Sequence, residues 1–324
     1  MCDRIFPSPE AYRGVNTFPP MSSAILFTGQ GSQFAGMGAD LARRFPQARE
    51  TFEEADAVLG EPLSQLCFEG PEEKLSLTEN TQPATLAVSI AAYRALGLPP
   101  DLAAGHSLGE YSALTAAGSF TFAQALKLVR ERARRMQAAV PVGAGGMVVL
   151  RKMTLEEALQ VVEQVDRGRC DLANLNAPGQ VVLSGEVAAM DQVVELVGER
   201  KAMRLAVSVP FHSSLLTEAG EGFATVLDAA EMKDPAFGVV CNVDADLVTT
   251  ADAARDALKR QFSGSVLWQA SVERMLEAGV RRFIECGPKP VLIRMVTQIA
   301  RAHGVEGVET VAATTAEEVE SLRE

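Results

Sequence analysis

The sequence predicts an α/β fold in which a large domain with a mainly parallel sheet carries an inserted small domain. Two observations lead to this prediction. Short apolar runs typical of buried strands alternate with helical segments through most of the 324 residues, a pattern of parallel sheets covered on both faces. Between residues 146 and 208 the order of elements changes to βαββαβ, which is the ferredoxin-like unit.

The first part of the large domain opens with the apolar run AILFT at 24–28, which is typical of a buried strand. Pro83 is expected in the first turn of its helix, where proline is tolerated. In order, the predicted elements are a strand at 24–28, helices at 36–52 and 82–96, a strand at 101–104, and helices at 107–117 and 122–140.

The small domain begins after the glycine-rich linker PVGAGG at 141–146. Thr154 is the expected N-cap of its first helix, since Glu157 stands three residues further on and completes a capping box. The predicted elements are strands at 147–150, 171–175, 180–184 and 203–207, with helices at 154–165 and 187–200. Residues 146–208 are therefore predicted to form a ferredoxin-like domain.

After Pro210 the pattern of the large domain resumes, with strands at 239–242 and 281–286 and helices at 253–262, 266–278 and 291–300. The large domain is predicted to comprise residues 21–145 and 209–312. Residues 1–20 contain no apolar core of the kind found in signal peptides. They are predicted to form a disordered leader, which makes Met21 a candidate start.

The composition excludes several classes of protein. The formal net charge of −12 argues against a general nucleic-acid binder, and no apolar run is long enough to span a bilayer. The five cysteines are odd in number, scattered and without a C-x-x-C pair. They indicate reduced thiols in a cytoplasmic protein, with neither a disulfide framework nor a metal site.

The segment Gly105-His106-Ser107-Leu108-Gly109 fits G-x-S-x-G between a predicted strand and a predicted helix. In this motif the glycines permit a tight turn that exposes the serine hydroxyl at the end of the sheet, as in the α/β-hydrolase fold. The first amides of the helix then lie close to any oxyanion formed there. The large domain is therefore expected to be α/β-hydrolase-like, with Ser107 as the candidate nucleophile.

A serine nucleophile needs a base, and the chain has only three histidines. His212 follows Pro210 in the segment VPFHS, where a loop is expected. By itself it would be interpreted as a structural histidine, but the serine motif favours the base. His106 is adjacent to Ser107 and should point elsewhere, and His303 lies in a polar C-terminal segment.

Arg132 falls on the apolar face of its predicted helix, one turn from Leu128 and one turn from Met136. A buried guanidinium is costly without an anionic partner. Either it pairs with a structural carboxylate, or it binds an anionic ligand through two parallel hydrogen bonds. The segment GQGSQ at 29–33 has two interpretations as well: its amides can donate to an oxyanion, or it is an ordinary glycine turn.

Together these segments resemble the malonyl-CoA:acyl carrier protein transacylase family and the related acyltransferase domains of polyketide and fatty-acid synthases. The resemblance spans residues 22–310 and excludes the tail after about Val311. Thr28 is a departure, because the family usually has proline there. The motifs, in the order of the family, are GQGSQ at 29–33, GHSLGEYSAL at 105–114, R-x-x-x-M-Q at 132–137, VPFHS at 209–213, RQ at 260–261 and GPKPVL at 287–292.

The resemblance implies a role for each matching position. Ser107 would be the nucleophile, His212 the base, and Arg132 the group that holds the free carboxylate of a malonyl group. The amides of Gln30 and Leu108 would form the oxyanion hole. Gln261 would orient His212 through its backbone carbonyl, giving a Ser-His dyad without an acid. Phe211 and His106 would be specificity positions, with Phe211 resembling members that favour malonyl over methylmalonyl groups.

The implied substrates are malonyl-CoA and an acyl carrier protein, in fatty-acid or polyketide synthesis, with a monomeric enzyme and no further cofactor. Carrier proteins are acidic, and so is this chain, which implies a local basic patch for docking. Candidates in the small domain are Arg151, Lys152, Lys201 and Arg204. The alternative for these residues is an ordinary solvated surface.

Two rival functions use some of the same features. Thioesterases and lipases also carry G-x-S-x-G, but their histidine lies near the C-terminus, whereas a long pattern of helices and strands follows His212. Arg132 would also have no task in a simple lipase. A non-catalytic partner of a carrier protein is disfavoured because every proposed catalytic residue is present.

Overall fold

The computed structural model describes residues 23–207 and 209–324, so the predicted leader at 1–20 and Met21 lie outside the described residues. The strands are β1 Ser23–Phe27, β2 Leu102–Gly105, β3 Gly145–Arg151, β4 Cys170–Ala177, β5 Gln180–Glu186, β6 Ala202–Arg204, β7 Gly238–Val240, β8 Leu247–Val248, β9 Arg282–Cys286 and β10 Glu309–Ala313. No helix within the described ranges is long and apolar enough to cross a membrane.

Helices surround these strands and connect most of them. The helices that precede β3 in the chain are α1 Ala39–Arg44, α2 Pro46–Leu59, α3 Leu63–Glu69, α4 Glu72–Leu75, α5 Thr78–Leu96, α6 Leu108–Ala116 and α7 Phe122–Ala139. The others are α8 Leu155–Gln164, α9 Val187–Val197, α10 Thr217–Ala229, α11 Ala251–Gln261, α12 Trp268–Glu277, α13 Leu292–Ala302 and α14 Ala316–Arg323.

The central sheet has the strand order β10-β9-β1-β2-β7-β8 and is parallel except for the β7–β8 pair. Alternate residues of β1 enter two cores. Ile25 and Phe27 pack against residues of α5 and α7, whereas Ala24 and Leu26 pack against residues of α12 and α13. The predicted parallel sheet with both faces covered is therefore confirmed.

The register of this sheet brings the functional loops to one edge. Phe27 is paired with Gly105 on one side and with Cys286 on the other, so β1, β2 and β9 end at the same level. The segments that follow these strands are GQGSQ, the serine motif and GPKPVL. Ligand sites of open α/β sheets lie at the carboxyl ends of the strands, which makes this edge the place to look for one.

A second sheet has the order β4-β5-β3-β6 and is antiparallel throughout. With α8 and α9 packed on one face, it has the βαββαβ order and strand arrangement of a ferredoxin-like unit, as predicted. The capping box of Thr154 and Glu157 is also confirmed. The other face carries a small apolar cluster that includes Met147, Val149 and Val182 and contacts Phe211.

Main-chain hydrogen bonds join the second sheet to the large domain. The amide of Leu175 in β4 donates to the carbonyl of Val266 at 2.9 Å, and the amide of Val266 donates to the carbonyl of Ala173 at 2.9 Å. Val266 lies just before α12, so β4 continues its hydrogen bonding into the large domain. The exact limits of the two domains, 21–145 with 209–312 and 146–208, stay a prediction.

Two predicted helices were placed wrongly because of proline. The single helix expected at 36–52 is divided into α1 and α2 at Phe45, which is extended (φ −115°, ψ 120°) because Pro46 follows it. The helix expected from Gln82 begins at Thr78, so Pro83 lies inside α5 rather than in its first turn. The first turn of this helix is polar, so it lacks the apolar pattern of a buried helix. Thr81 is nevertheless buried, and its hydroxyl donates to the carbonyl of Leu75 at 2.7 Å.

The C-terminal segment contains two elements for which the sequence analysis placed nothing. β10 pairs in parallel with β9 and forms one border of the central sheet. α14 begins with a capping box made by Thr315 and Glu318, and the amide of Ala316 donates to Asp40 in α1 at 2.7 Å. Both elements are short and partly exposed, so they lack the apolar pattern that predicts a buried strand or helix; α3, α4, β8 and α10 were not predicted either.

Candidate active site

Ser107 occupies a strained turn between β2 and α6. Its φ of 53° and ψ of −106° lie outside the regions that side-chain-bearing residues normally adopt. A Cβ atom on Gly105 would lie 2.0 Å from the main chain of Gly109, and one on Gly109 would lie 2.1 Å from the carbonyl oxygen of Phe27. Both glycines are therefore needed for the turn to pack against β1. The amide of Ser107 donates to Oδ1 of Asn242 at 2.7 Å, which helps to hold the turn.

Ser107 and His212 are in direct contact. The Ser107 Oγ and His212 Nε2 atoms are 2.7 Å apart. Nδ1 of His212 faces two carbonyl oxygens, that of Gly264 at 2.9 Å and that of Gln261 at 3.2 Å. Because both are acceptors, Nδ1 carries the proton and Nε2 is left to accept one from the serine. Within the described part of the chain, no carboxylate contacts this imidazole.

The environment of His212 keeps the imidazole neutral. Burial, followed by the positive charge of Arg132, lowers the pKa of His212 to about 3. A neutral imidazole is the form that accepts a proton, so the side chain is ready to act as a base throughout the neutral range.

The other two histidines do not reach the serine hydroxyl. His106 Nε2 lies 2.8 Å from Oδ1 of Asn176 in β4, and its ring packs against Trp268. His106 lines the cavity and contacts the small domain, a position that is compatible with the predicted role in specificity. His303 pairs on the surface with Glu273 at 2.7 Å.

Arg132 is buried beside Ser107 with 1% of its surface exposed. Its guanidinium donates to Oε1 of Gln82 at 2.9 Å, to Oε1 of Gln261 at 3.0 Å and to Oγ of Ser107 at 3.2 Å. All of these partners are neutral, and no acidic residue of the described ranges forms an ion pair with it. The sequence left two interpretations of this arginine, a structural ion pair or a site for an anionic ligand. The structure shows no carboxylate in direct ion pairing with it, which the first interpretation requires.

The proposed oxyanion donors lie at the same edge of the sheet. Leu108 is the first residue of α6, and an amide in that position has no acceptor within its own helix. Gln30 belongs to the GQGSQ loop, which lies against the serine turn, since a Cβ on Gly29 would be 2.5 Å from the carbonyl oxygen of His106. Both residues line the cavity above Ser107. The loop begins at Thr28, whose amide donates to Cys286 at 3.4 Å, a contact that proline could not make.

A cavity of about 880 Å³ contains these groups. Its volume is within the range of small-molecule sites. The large domain supplies one wall with Gln30, Ser107, Leu108, Arg132, Phe211, His212, Leu292 and Met295, and the small domain supplies the other with Met147, Val149, Asn174, Asn176 and Val182. Phe211 also packs against the apolar cluster of the small sheet.

Several residues of the site were not identified from the sequence. Gln82 binds Arg132, Gly264 accepts from His212, Asn176 binds His106, and Asn242 and Glu110 lie behind the serine turn. Only Glu110 had a signal, since it stands inside the motif GHSLGE. The others come from separate elements of both domains, which are brought together only in the folded chain.

The proposed docking residues lie on the small domain. Arg151, Lys152 and Lys201 are exposed, and the amide of Arg151 donates to the carbonyl of Lys201 at 2.8 Å, so these two are neighbours. Arg204 is exposed as well and forms an ion pair with Asp191.

A serine–histidine pair at the carboxyl edge of a parallel sheet, with a buried arginine beside it, is an arrangement suited to acyl transfer through a seryl intermediate. The family model described as "Acyl transferase domain" matches residues 25–322, and the chain belongs to this family. The match includes β10 and α14, so the expectation that the resemblance ends near Val311 is wrong.

Individual relatives indicate the acyl group and the acceptor more closely than the family model does. The chain is 43% identical to the malonyl CoA-acyl carrier protein transacylase of Bacillus subtilis, over 86% of this chain and 90% of that enzyme. It is 42% identical to the enzyme of the same name from Escherichia coli, over 85% of this chain and 92% of the relative.

Among solved structures, one of a type II polyketide synthase acyl carrier protein in complex with its malonyl-transacylase matches with a TM-score of 0.89. That match has 40% sequence identity and covers 93% of this chain and 98% of the other. The mixed α/β fold with a mainly parallel central sheet and a separate antiparallel sheet is thus shared with these acyltransferases.

Proposed function

We propose that this chain transfers a malonyl group from malonyl-CoA to the thiol of an acyl carrier protein through an acyl-enzyme on Ser107. The family and the relatives at 42–43% identity support an acyltransferase of this kind. The observation that carries the choice of acyl group is Arg132, a buried cation beside the nucleophile whose hydrogen-bond partners are all neutral. A carboxylate on the substrate would complete its pairing.

In the first half-reaction, Ser107 Oγ attacks the thioester carbonyl of malonyl-CoA while His212 Nε2 accepts the hydroxyl proton. The amides of Gln30 and Leu108 donate to the oxyanion of the tetrahedral intermediate. The intermediate collapses by breaking the carbon–sulfur bond, and His212 returns the proton to the departing sulfur of coenzyme A. The product is a malonyl ester on Ser107.

In the second half-reaction, the thiol of the carrier protein takes the place of coenzyme A. His212 accepts the thiol proton as the sulfur attacks the ester carbonyl. The carbon–oxygen bond then breaks, and His212 gives the proton back to Ser107 Oγ. The groups needed are the same in both directions, so no cofactor is proposed beyond the coenzyme A thioester that is the substrate.

Arg132 also links substrate binding to the strength of the base. Its positive charge is one cause of the low pKa of His212. When a malonyl carboxylate pairs with the guanidinium, the net charge felt by the imidazole falls and its pKa rises. The base therefore becomes stronger when an acyl group that carries a carboxylate is in place.

Several finer features are proposed on the resemblance: specificity at Phe211 and His106, and the orientation of His212 by the carbonyl of Gln261. Carrier docking by the basic residues of the small domain is proposed on their charge. A monomer in the cytoplasm, serving fatty-acid or polyketide synthesis, is the proposed setting.

Labelling by malonyl-CoA tests the proposal. Wild-type protein mixed with radiolabelled malonyl-CoA, without carrier protein, is expected to accumulate about one acyl group per chain, and Ser107→Ala is expected to accumulate none. Addition of carrier protein should discharge the label faster than water does. Stoichiometric labelling of Ser107→Ala would show that the nucleophile is another residue, and rapid discharge by water alone would favour a hydrolase.

A further inference from the structure

Glu110 is a fully buried acid directly behind the nucleophile, and the proposed mechanism gives it no task. It lies in the first turn of α6 and has 0% exposure. Its Oε2 atom accepts two hydrogen bonds, from the backbone amide of Asn242 and from Nε2 of Gln261, both at 2.9 Å. Its Oε1 atom is buried and has no hydrogen-bond partner in the described ranges. A buried carboxyl group is costly, so its place here needs a reason.

The first partner, Asn242, holds both sides of the serine turn. Its Oδ1 atom accepts from the amide of Ser107 at 2.7 Å, and its Nδ2 atom donates to the carbonyl of Gly105 at 2.8 Å. These contacts bracket the residue whose backbone is strained. Because Glu110 binds the backbone amide of Asn242, it fixes the segment just after β7 that carries this side chain.

The second partner, Gln261, joins the serine turn to the substrate arginine. Its Nε2 atom donates to the carbonyl of Ser107 at 2.8 Å as well as to Glu110, and its Oε1 atom accepts from Arg132 at 3.0 Å. If this amide were reversed, its oxygen would face the oxygens of Glu110 and Ser107, and its NH₂ group would face the guanidinium. The carboxylate therefore favours the orientation that presents an acceptor to Arg132.

We propose that Glu110 is a positioning residue that fixes the side-chain amide of Gln261 and the main chain of Asn242, and through them Arg132 and the strained Ser107 turn. Its two hydrogen bonds come from the backbone amide of Asn242 and the side chain of Gln261, and the side chains of both residues contact the backbone of Ser107. The part of this proposal that concerns Arg132 rests on the proposed function, whereas the part that concerns the serine turn does not.

The test compares Glu110→Met, which fills the space without an acceptor, with Glu110→Gln. The carbonyl oxygen of glutamine can accept both hydrogen bonds that Oε2 accepts now, so this variant keeps the contacts but cannot ionise. Ser112→Ala is the matched control, because it removes a buried hydroxyl without a partner in the described region from the same helix. A fluorophosphonate probe reports the reactivity of Ser107 without any acyl group, and malonyl-CoA and acetyl-CoA report acyl selectivity.

Glu110→Met is expected to label with the fluorophosphonate at least about 10-fold more slowly than wild type, since small displacements of reacting groups have effects of up to about 100-fold. It should also lower the ratio of malonyl to acetyl acylation. Glu110→Gln should stay within about threefold of wild type in both measurements, as should Ser112→Ala. Thermal midpoints of all variants identify any loss that is due to unfolding.

Unchanged fluorophosphonate labelling of folded Glu110→Met would overturn the proposal. A loss of about 10-fold or more in folded Glu110→Gln relative to wild type would also overturn it, and this comparison with wild type still decides the matter if the methionine variant does not fold. Wild-type protein that reacts with the fluorophosphonate but not with malonyl-CoA would instead refute the proposed function. The role of Glu110 in positioning the serine turn would then be decided by the fluorophosphonate labelling rates of its variants.

Discussion

Arg132 keeps a positive charge where water scarcely reaches it. Its neutral partners share the charge through hydrogen bonds, the ring of Tyr111 lies 5.4 Å from the guanidinium carbon, and Glu110 is connected to it through Gln261 without a direct ion pair. A substrate carboxylate that can form a bidentate pair offsets the cost of this burial. An acetyl group would leave the cost in place, so we propose that the residue distinguishes acyl groups by charge.

Substitution of Arg132 tests this selectivity. Arg132→Ala is expected to lose malonyl transfer by roughly 30- to 4000-fold, because loss of one partner of a buried charged pair costs about 2–5 kcal/mol, while acetyl transfer is retained or improved. Arg132→Lys should recover only part, since an ammonium group lacks the planar fork. The measurement is kcat/KM for malonyl-CoA and acetyl-CoA. An equal decrease with both donors would mean that Arg132 is structural.

His212 gives a prediction about catalysis and pH. His212→Ala is expected to lower the acylation rate by about 10²–10⁴-fold, the usual contribution of a general base. In wild type the pKa of His212 is lowered to about 3, so the neutral form dominates above that value. The acylation rate should therefore not decline between about pH 8 and pH 5, as it would for an imidazole of ordinary pKa near 6.5.

The variant Arg132→Ala serves as the comparison for this pH profile. It removes one cause of the lowered pKa, so the acidic decline of its residual acetyl transfer should move to higher pH. A wild-type profile that falls by half near pH 6.5 would contradict the assigned environment of His212.

At the scale of secondary-structure elements, the contact between β1 and the start of α6 determines whether the nucleophile is presented. Gly109 touches the carbonyl oxygen of Phe27 so closely that no side chain fits. Gly109→Ala is expected to lower the free energy of unfolding by more than about 2 kcal/mol, or to displace α6 and slow labelling of Ser107. Urea denaturation and fluorophosphonate labelling measure the two outcomes.

Gly146→Ala is the control, because a Cβ atom there would meet only Cγ of Met190, at 3.7 Å. It should change stability by less than about 1 kcal/mol. If Gly109→Ala were as stable and as reactive as Gly146→Ala, the packing of the serine turn against β1 could not be as tight as the structure has it.

Elements with a complete local signal could be predicted from the sequence, and those held by distant contacts could not. Thr154 and Glu157 lie three residues apart and form a capping box that predicts the start of α8. Arg132 is a charged residue on an otherwise apolar helix face, which is visible in the sequence of α7 alone. In contrast, the polar first turn of α5 becomes buried only because Asn80 and Thr81 donate to the carbonyls of Lys74 and Leu75. Likewise, nothing in the sequence near Asn242 indicates that it will bind Ser107.

At the scale of the whole molecule, net charge and local charge are opposed. The chain carries a net charge of −12, and an acidic carrier protein would be repelled at long range. Arg151 and Lys201 are exposed neighbours on the small domain, where a local positive field can guide docking. Arg204 contributes less than its charge suggests, since Asp191 is paired with it.

Charge reversal tests this docking surface. Arg151→Glu with Lys201→Glu is expected to raise the KM for carrier protein several-fold and to spare acylation by malonyl-CoA, with the difference shrinking at high salt. Lys127→Glu, exposed on α7 in the large domain, is the control for added negative charge. Equal effects on both half-reactions, or an equal effect of the control, would remove these residues from the docking surface.

The hydrogen bonds between β4 and Val266 bear on how enzymes of this architecture can be recombined. They use only main-chain atoms of Ala173, Leu175 and Val266, so a homologous insert with the same bulges in its second strand can form them whatever its side chains are. The carbonyl that accepts from His212 belongs to Gly264, two residues before Val266, and would keep its support in such a chimaera. The contact between His106 and Asn176 does depend on side chains and crosses the same boundary. Exchange of the small domain between relatives must therefore preserve several side-chain contacts across this boundary: the residue that faces His106, the hydrogen bonds of Ser213 and Ser214 to Asp171, and the packing of Phe211 on the small sheet.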